Sequence, residues 1–119
     1  MPSAAARAAE PFDFESLWNY SKPAETEAAF RALLPAAEDA EDAEYRLQLK
    51  TQIARTLGLQ RRFDAAHVLL DEVAAATDEN TPVAGLRLLL ERGRAHNSGG
   101  SPDEAHPLFE EAWRAGVAL

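Results

Sequence analysis

One apolar spacing occurs three times in this chain, at nearly equal intervals. Pro23, Phe63 and Pro102 each open a segment. A small residue follows three positions on: Thr26, Ala66 and Ala105. Four further lie Phe30, Leu70 and Phe109, and three beyond those Leu33, Val73 and Ala112. An i, i+3, i+7, i+10 stripe is one face of an α-helix. The three copies start 40 and then 39 residues apart. An equal period of this length constrains the fold strongly. Each unit has one apolar face that it cannot bury alone, so neighbouring units must stack.

Composition agrees with helix throughout. Of 119 residues, 25 are alanine, 10 arginine and only 6 glycine. Alanine, leucine, arginine and glutamate are strong helix formers, and no stretch alternates apolar and polar with period two. The fold class expected is all-α. Breakers divide it. Ser21-Lys22-Pro23 and Thr81-Pro82 read as a cap followed by proline at a helix start. Gly58 reads as a stop, and Asn97-Ser98-Gly99-Gly100 as a stop and turn. Ser101-Pro102-Asp103-Glu104 reads as a capping box. Five helices are expected, over 23–37, 42–58, 62–77, 82–97 and 102–117, with a short apolar piece, 12–20, ahead of them. Connections this short make sequential helices antiparallel. Residues 1–11 are expected to be a disordered tail, and 12–119 a single domain.

Charge excludes some partners. The net charge is −8, which argues against nucleic acid or an anionic membrane. It is unevenly spread: residues 45–62 hold five bases and no acid, directly after the acidic run Glu38–Glu44. Acids near the N-terminus of a helix and bases near its C-terminus complement the helix dipole; a bipolar binding surface is the other reading. No apolar run reaches the length of a membrane span, and nothing resembles a signal peptide, so a cytoplasmic location is expected. The alanine and arginine bias matches a GC-rich bacterial genome. The absence of cysteine removes disulfides, thiolate metal sites and cysteine nucleophiles.

The intervening helices add a second pattern. Twelve residues before Ala66 lies Ala54, and twelve before Ala105 lies Gly93, each followed three residues later by a bulkier residue, Leu57 or His96. Gly93 in mid-helix costs about 1 kcal/mol relative to alanine, which tight helix contact explains. The segments Ile53–Ala66, Arg92–His96 and Pro102–Ala105 together resemble the tetratricopeptide repeat. The 39–40-residue period is similar to its longer variants, and the Leu17-Trp18-Asn19-Tyr20 opening to a group of small bacterial members. The resemblance covers repeats 42–77 and 82–118, with 12–38 as a degenerate half repeat. It departs from the common pattern at Lys50 and Leu89, where an aromatic is usual, and at Asp78 and Val117, where a proline is usual.

The resemblance implies an α-solenoid of antiparallel helix pairs and no enzymatic activity. Its expected role is an interaction module or adaptor whose first helices line a groove for a segment of another protein. Helical spacing from Ala54 and Gly93 puts Gln48, Thr51, Gln52 and Arg55 on one wall. Arg87, Leu90, Glu91, Arg94 and Asn97 take the other. Three arginines suit an acidic peptide; local ion pairing on a solvated face is the plain alternative. The last helix carries Phe109, Trp113 and Val117 on a second apolar edge, which a homodimer or another partner could use, or which could simply pack into the core. A structural or regulatory subunit that self-associates through this edge is the alternative function. Trp18 and Phe30 are expected to close the opposite end.

Other chemistry finds no support. His67, His96 and His106 lack metal-site spacing, so no metal and no cofactor are expected. Adjacent acids such as Asp71-Glu72 diverge by about 100° on a helix. The 97–101 turn has no lysine and no preceding strand, so it is no phosphate loop.

Overall fold

A computed structural model describes residues 14–118; the expected tail, 1–11, lies outside them. A 3-10 turn, Glu15–Leu17, precedes six α-helices: α1 Pro23–Ala32, α2 Leu34–Asp39, α3 Ala43–Leu59, α4 Phe63–Ala76, α5 Pro82–Ser98 and α6 Pro102–Ala118. No strand occurs among the described residues.

The expected first helix, 23–37, is two helices. Pro35 has no N–H and its ring opposes the carbonyl four residues back. The chain therefore closes α1 with a tight bond from Leu33 N–H to Phe30 O, 3.0 Å, and restarts at Leu34. Gly58 is not the stop expected of it, because α3 runs on to Leu59. The stop is Arg61, at φ 61°. Arg62 N–H bonds Leu57 O at 2.9 Å and Arg61 N–H bonds Gly58 O at 2.9 Å, the pair of bonds that ends a helix through a left-handed residue. The same pair ends α5: Ser101 to His96 at 2.7 Å and Gly100 to Asn97 at 3.3 Å, with Gly100 at φ 95°.

Capping also differs from expectation. Ser21 does not cap α1; it bonds the Asn19 side chain. Thr81 does not cap α5; its hydroxyl accepts from Asp78 N–H at 2.9 Å. The Glu44 carboxylate, from the first turn of α3, accepts from Val83 N–H at 3.2 Å and Ala84 N–H at 2.9 Å. An anion there satisfies two otherwise orphaned donors and faces the positive end of the α5 dipole.

Helix α3 is the centre of the molecule. It packs on α1, α2, α4 and α5, while α4 also packs on α5, and α5 on α6. One apolar cluster joins Phe14, Phe30, Ala37, Tyr45, Leu49, Ile53, Leu57 and Ala66. A second, on the other side of α3, joins Leu47, Ala54, Leu70, Val73, Ala84 and Leu88. The small positions Thr26, Ala66 and Ala105 are all buried, as close helix approach requires. Thr26 does more than fill space: its hydroxyl accepts from Asn19 N–H at 3.0 Å and faces Asn19 O at 3.1 Å, tying the N-terminal segment to α1.

Glu27 fastens α1 to the α3–α4 turn. Its carboxylate takes Arg31 Nε at 2.7 Å, Gln60 Nε2 at 2.9 Å and an Arg62 nitrogen at 3.3 Å. Burial pushes this carboxyl up, but the hydrogen bonds from Gln60 and Arg31 and the charges of Arg31 and Arg62 outweigh it, leaving it below its ordinary value. A depressed carboxylate stabilises the fold above its unfolded pKa and loses that contribution as pH falls through the folded one. Glu27→Gln should therefore cost about 1 kcal/mol at pH 7 and almost nothing at pH 2.5. Urea denaturation at the two pH values reads the difference.

Candidate functional site

The expected groove forms only in part. Gln48 and Gln52 are 3% and 2% exposed and Thr51 is fully buried, so this wall of α3 is not open. The N-terminal segment covers it. Trp18 Nε1 donates to Gln52 Oε1 at 3.0 Å, Phe14 packs in the core with Tyr45, and Arg87 on α5 lies over the Phe14 ring at 5.4 Å. Gln52 thus positions Trp18. Asn97 is exposed but takes no part in the cleft described next, and Leu90 lines a different groove.

What remains open is the C-terminal end of the α3–α5 contact. Small residues leave room there: Ala54 and Gly58 on α3, Ala95 on α5. They line a cleft of about 110 Å³ with Arg55, Leu59, Glu91, Arg94 and Ser98. Residues 91, 94, 95 and 98 share one helical face, so Ser98 follows from the arithmetic that finds Arg94. Three expected residues, Arg55, Glu91 and Arg94, do come together.

Arg55 lies within cation–π reach of two rings. Its guanidinium carbon lies 5.2 Å from the Trp18 ring centre and 5.0 Å from that of Tyr20. The two rings themselves stack at 4.5 Å and 8°. Attraction to the rings favours one placement of a guanidinium and leaves N–H groups for an acceptor. The aromatic i, i+2 pair just before α1 is the sequence signal for this platform.

Glu91 forms the floor, 3% exposed. Its Oε2 accepts from Arg94; its Oε1 is buried with no hydrogen-bond partner among the described residues. Burial pushes this carboxyl above its ordinary value, against the pull of Arg94, Arg55 and Arg87. Two guanidiniums, Arg55 and Arg94, thus line the cleft with a single acid, Glu91. In a chain of net charge −8, this is a local positive spot.

A second feature lies on α5 and α6. Trp113 and Val117 are 73% and 69% exposed. With Leu86, Leu90, Phe109, Ala112 and Gly116 they line an open apolar groove of about 380 Å³. Phe109 itself is half-buried, its ring against Gly93.

His67 and His96 face each other at 4.6 Å between ring centres. Burial, then the charges of His96 and Arg92, hold the His67 imidazole below its ordinary range. Glu104, expected to close a capping box, lies 3.1 Å from His96 Nδ1. No group of three or more His, Cys, Asp or Glu suited to a metal ion occurs among the described residues. No helix among them is long and apolar enough to cross a membrane.

Comparison of the chain with known protein families, with curated proteins and with solved structures yields no match.

Proposed function

We propose that this chain is a protein-binding module of tetratricopeptide-like architecture, which takes a carboxylate of an acidic partner segment in the cleft between α3 and α5. The architecture draws support from the order of packing, in which α3 meets α5, and α4 meets both. The Arg61 and Gly100 turns, 39 residues apart and identically bonded, support it too. The observation that carries the function is the pairing of Arg55 and Arg94 at one cleft whose lining holds one acid, itself buried. Arg55 is oriented in advance by Trp18 and Tyr20. A held fork of donors loses less freedom on meeting a carboxylate than a mobile one. The polar wall expected at Gln48 and Gln52 has no part in this reading, since the chain's own N-terminal segment covers it.

Reversing Arg94 alone would set a second carboxylate beside buried Glu91 and confuse binding with folding. The clean variant changes Arg55, Glu91 and Arg94 together to glutamine. It should keep its helical circular dichroism and its cooperative melt. In a random-peptide selection, the wild type should enrich Asp- and Glu-rich sequences, which the triple variant should bind at least about tenfold more weakly. Equal binding by both proteins, or selected peptides without acid enrichment, would defeat the assignment.

A further inference from the structure

We infer that the open face of α6 is a self-association surface on which a second copy of this chain docks antiparallel, about a two-fold axis near Trp113. The inference is independent of the arginine cleft. At 100° per residue, Phe109, Trp113 and Val117 form one stripe about 12 Å long, adjoining the half-buried Leu86 and Leu90 of α5. Trp113 and Val117 are 73% and 69% exposed, and large exposed apolar patches of this kind mark interaction sites.

The charges beside the stripe select the occupant. Glu110 and Arg114 lie along one flank, four residues apart, and both are exposed. Glu110 has a His106 nitrogen 3.6 Å away on the same helix. When two identical helices pair antiparallel through one stripe, each flank meets the same flank of the other copy in reverse. Glu110 then faces Arg114 of the second copy, and Arg114 faces its Glu110. A parallel pairing would set this flank against the opposite flank of the other copy, where Ala112 and Gly116 carry no charge to answer Glu110 or Arg114. The stripe is thus complementary to itself in one orientation, as an isologous interface must be.

Sedimentation equilibrium on the full chain tests this. The wild type should dimerise in the micromolar range, and Trp113→Ser should weaken association by about 100-fold with an unchanged circular dichroism spectrum. Glu110→Arg and Arg114→Glu should each weaken self-association by at least about tenfold, because each sets like charges across the axis. Mixed in equal amounts, these two variants should associate as tightly as the wild type. The base introduced in the first then meets the acid introduced in the second, and the native pairing of Arg114 with Glu110 is kept on the other side of the axis. A wild type that stays monomeric to 500 µM in this experiment (about three decades above the expected range) would overturn the inference. So would a Trp113→Ser dimer of undiminished strength, or a mixture no tighter than its parts.

Discussion

Phe30→Ala should lower the unfolding free energy by about 3–5 kcal/mol, the largest loss expected of any single truncation here. Phe30 has no exposed surface and meets Phe14 edge-on at 5.9 Å and Trp18 edge-on at 5.4 Å. Those two residues belong to the segment that covers α3, so the cavity would open between three elements at once. Domains of this size hold about 5–15 kcal/mol in all, so about a fifth or more of the total would go. Urea unfolding followed by tryptophan fluorescence measures it. Because Trp18 lies beside the deleted ring and also carries Arg55, the same variant should loosen the cleft before the chain unfolds.

The second large effect is expected at Gly93. A β-carbon built there would sit 2.5 Å from Cε1 of Phe109 and 2.8 Å from Cδ1 and Cζ, inside van der Waals contact. Gly93→Val should therefore destabilise by about 2–3 kcal/mol, overpacking the α5–α6 contact, despite the better helix propensity of valine. Gly85, in the same helix, has no atom within 4 Å of such a carbon. Gly85→Ala should accordingly stabilise by about 0.5–1 kcal/mol. Opposite signs from two glycines of one helix would show that the first is kept for contact and the second is not. Thermal melts of both variants decide it.

These two residues also mark how far the sequence could be read. Gly93 was legible because a mid-helix glycine in phase with Ala54 has few explanations other than close packing. Phe30 was legible as the third member of a stripe. The break at Leu33 follows from Pro35 by a local rule, and an unbroken 23–37 helix overlooks it. Other features had no local signal. Nothing near Arg61 marks it as the left-handed stop, because arginine rarely takes that conformation and the neighbouring Gly58 is the better candidate on type alone. The cap on α5 comes from Glu44, some 40 residues earlier, while Thr81 beside it looks the part. Spacing puts Gln48 and Gln52 on one face of α3, the face from which Gln52 meets Trp18. Spacing is silent on what covers a face, and here Phe14 and Trp18 do. The cleft stays open because that segment reaches it only at Arg55, through Trp18 and Tyr20, and neither ring is among the residues that line it.

The Glu44 carboxylate has one more consequence, for the order in which the molecule can assemble. Bonds within a helix form between near neighbours and are quick; this one closes a span of 39 and 40 residues, and long closures come late. Until α3 is in place, α5 begins with two bare amides and an unanswered dipole. The second half of the chain is in that sense templated by the first: α3 is a seed that the α5–α6 pair completes. Slow amide exchange at Val83 and Ala84 would report the moment of docking, not the winding of α5.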